Sequence, residues 1–136
     1  MKPKVIFFQI ENTAQKLIKI ASMAHYHFLN KEPLLLLAPS PKAVEYVEAL
    51  LWQEPPEGFL PHEVSEIATD ELIVITEKEQ NLNKANYLLN LCVEMPAFSF
   101  GFKVTYDFEE KNRRAAFEKK YKSYRDKGYA IESQPI

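Results

Sequence analysis

The sequence predicts a single α/β domain built on a mostly parallel sheet flanked by helices, and three observations carry that prediction. Residues 5–10, 33–38 and 72–76 are short apolar runs without alternation, the pattern of strands buried on both faces of a parallel sheet. A helical periodicity separates the first run from the second, giving strand, helix, strand. The chain has 136 residues, enough for one core that removes roughly 68% of the unfolded surface from water, so no metal or disulfide staple is needed.

Taken in order, Val5-Ile6-Phe7-Phe8 opens the first strand at residues 5–10. Ala14, Leu17, Ile18, Ala21, Ala24, His25 and Phe28 then follow a three-and-four spacing that places them on one face of a helix, with Asn12 or Thr13 as its cap. After the strand at 33–38, Ser40-Pro41 sets a capping hydroxyl before a proline at the first helical position. Val44, Val47, Leu50 and Leu51 share one face of that second helix, which stops at Pro55-Pro56. Residues 54–66 hold three prolines together with Phe59 and Leu60, the mark of a shaped loop. Residues 87–93 and 101–106 read as two further strands beyond the one at 72–76. Asp107-Phe108-Glu109-Glu110 has the acidic spacing that opens a last helix, expected over about 109–127 and closed by Gly128. No repeat or second-domain boundary interrupts residues 1–136.

Composition excludes several classes of function. With 46% apolar and 26% charged residues the chain reads as an ordinary soluble globular protein, and its longest unbroken apolar run, Leu34 to Ala38, is too short for a bilayer. The start, Met1-Lys2-Pro3-Lys4, lacks the apolar stretch of a secretory signal, so a cytoplasmic protein is expected. The single Cys92 allows no internal disulfide, and three scattered histidines build no zinc site. Gly58, Gly101 and Gly128 lie too far apart for a phosphate-cradling loop or a nucleophile elbow. Neither a cofactor nor catalysis is expected.

Charge is unevenly distributed. Residues 1–110 hold nine Lys and Arg against sixteen Asp and Glu, a balance of −7; residues 111–127 hold eight against two, a balance of +6. A basic block on an acidic body marks a contact with something anionic, such as a carboxylate-rich peptide, nucleic acid or a phosphate. Within that block Phe117, Tyr121 and Tyr124 form one helical stripe, and Arg114, Arg125, Glu118, Lys111 and Lys122 follow beside Tyr121. Such a face either packs on the core with a solvated basic flank or stacks an aromatic group beside a carboxylate clamp. Glu118 lies four residues from both Arg114 and Lys122, positioned to pair with each.

The remaining reactive residues favour structural roles. His25 and His27 point away from each other on a helix, one expected buried and one solvated. Cys92 sits in an apolar strand as a small hydrophobe. Asp70-Glu71 occupies a turn, and Glu109-Glu110 is favoured by the dipole of the helix it is expected to open. Trp52 at a helix end and Phe59 in a proline-framed loop either cover the core edge or line a pocket.

Two stretches carry a family resemblance. Ala49-Leu50-Leu51-Trp52, followed by Pro55-x-x-Gly58-Phe59-Leu60-Pro61-His62, resembles the helix-to-loop signature of the chi subunit of bacterial DNA polymerase III. Tyr121-Lys122-Ser123-Tyr124-Arg125-x-x-Gly128-Tyr129 resembles that family's C-terminal signature, and the order of elements is similar from Val5 to about Ile131. The resemblance implies a nucleotide-binding-like topology without a phosphate-binding loop. It also implies a non-catalytic clamp-loader accessory subunit with two partners: the acidic C-terminal tail of single-stranded DNA-binding protein, ending in a proline and a phenylalanine with its free carboxylate, and the psi subunit.

Carried over, the tail site falls on Arg114, Tyr121 and Lys122, with Arg125 flanking them and Phe59 and Trp52 closing it from the loop side. DNA is then reached only indirectly, and no membrane is involved. The sequence departs at Glu118, where the family pattern has an arginine facing the tail. The alternatives are a motif-poor α/β enzyme handling nucleotides or phosphate, and direct single-stranded nucleic-acid binding by the basic aromatic helix.

Overall fold

A computed structural model describes residues 2–53 and 60–136 of the chain. Strands β1 (Lys4–Ile10), β2 (Leu34–Leu37), β3 (Glu63–Val64), β4 (Ile73–Thr76), β5 (Tyr87–Asn90), β6 (Val104–Glu110) and β7 (Ala130–Pro135) form one sheet in the order β3-β4-β2-β5-β6-β1-β7. Every pairing is parallel. The expected α/β class holds, and the sheet is wholly parallel.

Alternation along the strands separates two layers of core. Phe8, Ile10, Leu34, Leu36, Ile73, Ile75, Leu89 and Phe108 face α1 (Thr13–Leu29) and α2 (Pro41–Gln53). Val5 and Phe7 face α3 (Arg114–Asp126), together with Tyr129. The helix following β1 therefore leaves on one face and the helix following β6 on the other, although β1 and β6 are neighbours paired from Lys4↔Val104 to Ile10↔Glu110. That is a topological switch point, which opens a crevice at the carboxyl edge of the sheet.

The helix starts follow their capping residues. Asn12 accepts a hydrogen bond from the Gln15 amide at 2.9 Å and the Gln15 side chain accepts one from the Glu11 amide at 2.8 Å; Ser40 accepts one from the Ala43 amide at 3.2 Å, just ahead of Pro41. Gly128 closes α3 at φ +88°, with its amide on the Arg125 carbonyl and the Tyr129 amide on the Tyr124 carbonyl, a left-handed cap that glycine adopts without a Cβ penalty.

Four details differ from the sequence reading. The inward face of α1 is Ile20, Ala21, Met23, Ala24 and His27, with Leu17 and Phe28 packed at its margin as expected, whereas Ala14 is exposed and Ile18 is 68% exposed. His27 is the buried histidine because it has partners there: its ring nitrogens lie 3.1 Å from the Glu32 carbonyl and 2.9 Å from the Tyr106 hydroxyl. Second, β5 ends at Asn90, not residue 93. The Asn90 side chain accepts from the Cys92 amide at 3.0 Å and donates to the Glu94 carbonyl at 3.1 Å, turning the chain away from the sheet.

Third, Asp107-Phe108-Glu109-Glu110 does not open the last helix; it completes β6, and α3 starts at Arg114 after a 3-10 turn at Lys111–Arg113. Seven registered pairs with β1 outweigh the local capping tendency. Fourth, β7 and the two-residue β3 are edge strands with little apolar content, and the sequence pattern gives no sign of either.

Candidate functional site

The face of α3 is built from the inside outward. Phe117, Lys120 and Tyr124 point into the sheet, and Tyr121 is 37% exposed at the rim. Phe7 is the common anchor, meeting Phe117 edge-on at 5.0 Å and Tyr124 edge-on at 5.6 Å, and stacking on Tyr121 at 6.2 Å between ring centroids.

Beneath this aromatic layer lies a polar one. Asp107, fully buried on β6, accepts from Lys120 Nζ at 2.7 Å, Tyr124 Oη at 2.7 Å, Asn90 Nδ2 at 2.9 Å and the Phe108 amide at 2.8 Å. Four donors satisfy a carboxylate that burial would otherwise make costly. Burial and the Asp107 charge together push the Tyr124 hydroxyl well above its usual pKa, so it remains a donor. The helix is thereby fixed in rotation and height, and its outer residues have defined places.

Those outer residues form a groove of about 330 Å³ lined by Arg114, Phe117, Glu118, Tyr121, Lys122 and Arg125. Four of the residues expected at the tail site, Arg114, Tyr121, Lys122 and Arg125, come together here. Arg114 lies over the Phe117 ring at 5.3 Å and is held by two carboxylates, Glu109 at 2.8 Å and Glu118 at 3.3 Å. Glu118 thus pairs with one of its two possible partners. Lys122 makes no ion pair among the described residues, and Arg125 reaches only its neighbour Asp126 at 3.3 Å. The least committed positive charge lies at the C-terminal half of the groove.

Trp52 is not part of it. It closes α2, whose buried residues Val44, Val47 and Leu51 belong to the opposite layer of core, and it packs edge-on to His62 at 5.6 Å. The sheet stands between Trp52 and Tyr121, so the expectation that Trp52 shares the α3 pocket is corrected. Phe59 lies outside the described residues.

Sequence reasoning missed Asp107 as a buried anchor and Lys120 as its partner. The signal for Lys120 was present: Phe117, Lys120 and Tyr124 share the spacing of one helical face. As for Cys92, burial first and then the Asp107 charge raise its thiol to about 11, which leaves it protonated and a poor nucleophile. Among the described residues no group of three His, Cys, Asp or Glu is placed to hold a metal ion, and no helix is long and apolar enough to cross a membrane.

The chain is 29% identical over 111 residues to the DNA polymerase III subunit chi of Haemophilus influenzae, covering 78% of this chain and 76% of that protein. Residues 1–132 match the family model described as DNA polymerase III chi subunit, HolC. Nearly the whole fold, from β1 into β7, lies within that match, and the chain belongs to the DNA polymerase III chi subunit family, whose role is in DNA replication.

Proposed function

We propose that this chain is a non-catalytic adaptor of the cytoplasmic replication machinery, which binds the acidic C-terminal tail of single-stranded DNA-binding protein on α3 and joins it to the clamp loader through a psi subunit. The observation that carries the reading is the α3 groove, where an aromatic ring 37% exposed lies among cations on a helix locked from beneath. A peptide ending in proline and phenylalanine presents a ring, a free carboxylate and upstream acidic residues. The ring packs on Tyr121 and Phe117, and the carboxylates take Lys122 and Arg125, which no strong partner among the described residues holds.

The psi partner is assigned to the other face of the sheet, where α1 and α2 leave an apolar groove lined by Leu17, Ile18, Ala21, His25 and Leu50. Ile18 and Trp52 are 68% and 57% exposed on that side. A tail on one face and a psi subunit on the other do not compete for surface.

The test is titration with a peptide ending in Asp-Asp-Ile-Pro-Phe, against the same peptide lacking its final Phe. Saturable binding of the first, lost in the second and weakened by Tyr121→Ala by about 1–3 kcal/mol, is expected. Equal binding of both peptides, or tight salt-sensitive binding of single-stranded DNA in its place, overturns the reading.

A further inference from the structure

A second cationic site lies away from the α3 groove, at the carboxyl edge of the sheet. A small cavity of about 40 Å³ opens there between α1 and α3, walled by Leu91, Cys92 and Val93 after β5 and by Phe108 and Glu110 of β6. It occupies the crevice where the helices after β1 and β6 depart to opposite faces, the place where open parallel sheets receive ligands.

Three cations from three elements border this cavity: Lys16 of α1, Arg113 of the 3-10 turn ahead of α3, and Lys120 of α3. They differ in how far the protein already uses them. Lys120 Nζ, nine-tenths buried, donates to Asp107 at 2.7 Å and to the Cys92 carbonyl at 3.2 Å. An ammonium has three donors, so one remains for the cavity that Lys120 lines. Lys16 is 3.2 Å from Glu110, the one carboxylate in the lining. Arg113 has no hydrogen-bond or ion-pair partner among the described residues, and its planar fork suits two oxygens of one anion.

From this convergence of cations at the switch-point crevice we infer a binding site for a tetrahedral phosphate group, either inorganic phosphate or the terminal phosphate of a larger molecule. Size agrees with one such group, because one water needs roughly 10–15 Å³ and the cavity offers room for about three. Charge agrees as well, since Lys16 offsets Glu110 and Lys120 offsets Asp107, which leaves the Arg113 guanidinium as the net positive charge at the space, beside the donors of the other two cations. The Cys92 thiol, held protonated, adds no negative charge. Side chains thus replace the glycine-rich loop that this sheet lacks. No bond is made or broken, and the site does not depend on tail binding.

Inorganic phosphate and adenosine monophosphate are the probes, each followed by phosphorus-31 line width at constant ionic strength on the full chain. Saturable broadening up to about 10 mM is expected for phosphate. Arg113→Gln, an exposed change, is expected to weaken it at least fivefold, and Lys16→Gln more strongly because Glu110 is then left unopposed. Binding by adenosine monophosphate at least as tight identifies a phosphorylated ligand, and binding by phosphate alone identifies the free ion; either outcome supports the site. Broadening that does not saturate, or that Arg113→Gln and Lys16→Gln leave unchanged in chains shown folded by circular dichroism, overturns it.

Discussion

The two faces of the sheet hold their helices by different physics. On one, α1 and α2 bury a broad aliphatic layer in which Leu34, Leu36, Ile73, Ile75 and Leu89 are all fully shielded. On the other, α3 rests on a few aromatic rings and on one buried carboxylate with four donors. Burial of area is non-directional and tolerates sliding, whereas hydrogen bonds near 2.7 Å fix a helix in register. The face that carries the cationic groove is the one held by directional bonds, as a surface that must present charges at set positions requires.

The largest expected effect comes from breaking that difference at its centre. Asp107→Ala leaves the Lys120 ammonium and the Tyr124 hydroxyl without their buried acceptor and should cost about 3–5 kcal/mol in urea unfolding. Lys120→Met should cost less, because Asp107 keeps Tyr124, Asn90 and the Phe108 amide. Costs below about 1 kcal/mol for both would mean that α3 is held by apolar area after all. On the opposite face, Leu36→Ala should cost roughly 2–5 kcal/mol by opening a cavity, yet leave tail-peptide affinity unchanged in the fraction that remains folded.

A smaller effect follows from His27, the polar exception on the aliphatic face. Burial lowers its pKa from the ordinary value, against a weaker raising influence of the Glu32 carbonyl. The neutral ring suits its partners, with Nδ1–H donating to Glu32 O and Nε2 accepting from Tyr106 Oη. A depressed histidine pKa means that the neutral form stabilises the fold. That stability is whole above about pH 6.5 and is lost as pH falls from there toward the folded-state value. Denaturant midpoints between pH 7 and 5 should therefore fall more steeply for the native chain than for His27→Gln.

The same comparison explains what the sequence disclosed. The aliphatic layer was legible because continuous apolar runs and helical spacing encode burial directly, as in Leu34 to Leu37. The α3 face was legible only at its rim, where Arg114, Tyr121, Lys122 and Arg125 carry a recognisable pattern. Its foundation was not, because Asp107 looks like a helix cap until β6 is paired with β1, and the helical spacing that sets Lys120 between Phe117 and Tyr124 names no acceptor to draw it inward. Nor could the position of Trp52 be read from its motif. Which layer α2 packs against depends on strand order, a long-range property, and that order puts Trp52 across the sheet from the groove.

The smallest expected effect sharpens the comparison within the groove itself. Arg114 spends its guanidinium on Glu109 and Glu118, while Lys122 stands without an ion pair among the described residues. Exposed pairs of this kind contribute only about 0.2–1 kcal/mol, so on the proposed reading Glu118 matters less for the helix than for the tail peptide. Removing its charge frees the Arg114 Nε donor and removes a repulsion toward an incoming carboxylate; reversing it adds a cation beside Lys122. Glu118→Arg should therefore tighten tail-peptide binding about threefold to tenfold, up to about 1.4 kcal/mol, and steepen its dependence on salt. Glu118→Gln should give a smaller gain in the same direction. Weaker binding by Glu118→Arg, with unfolding unchanged, would place the tail away from this face of α3 and leave its basic rim to another anion.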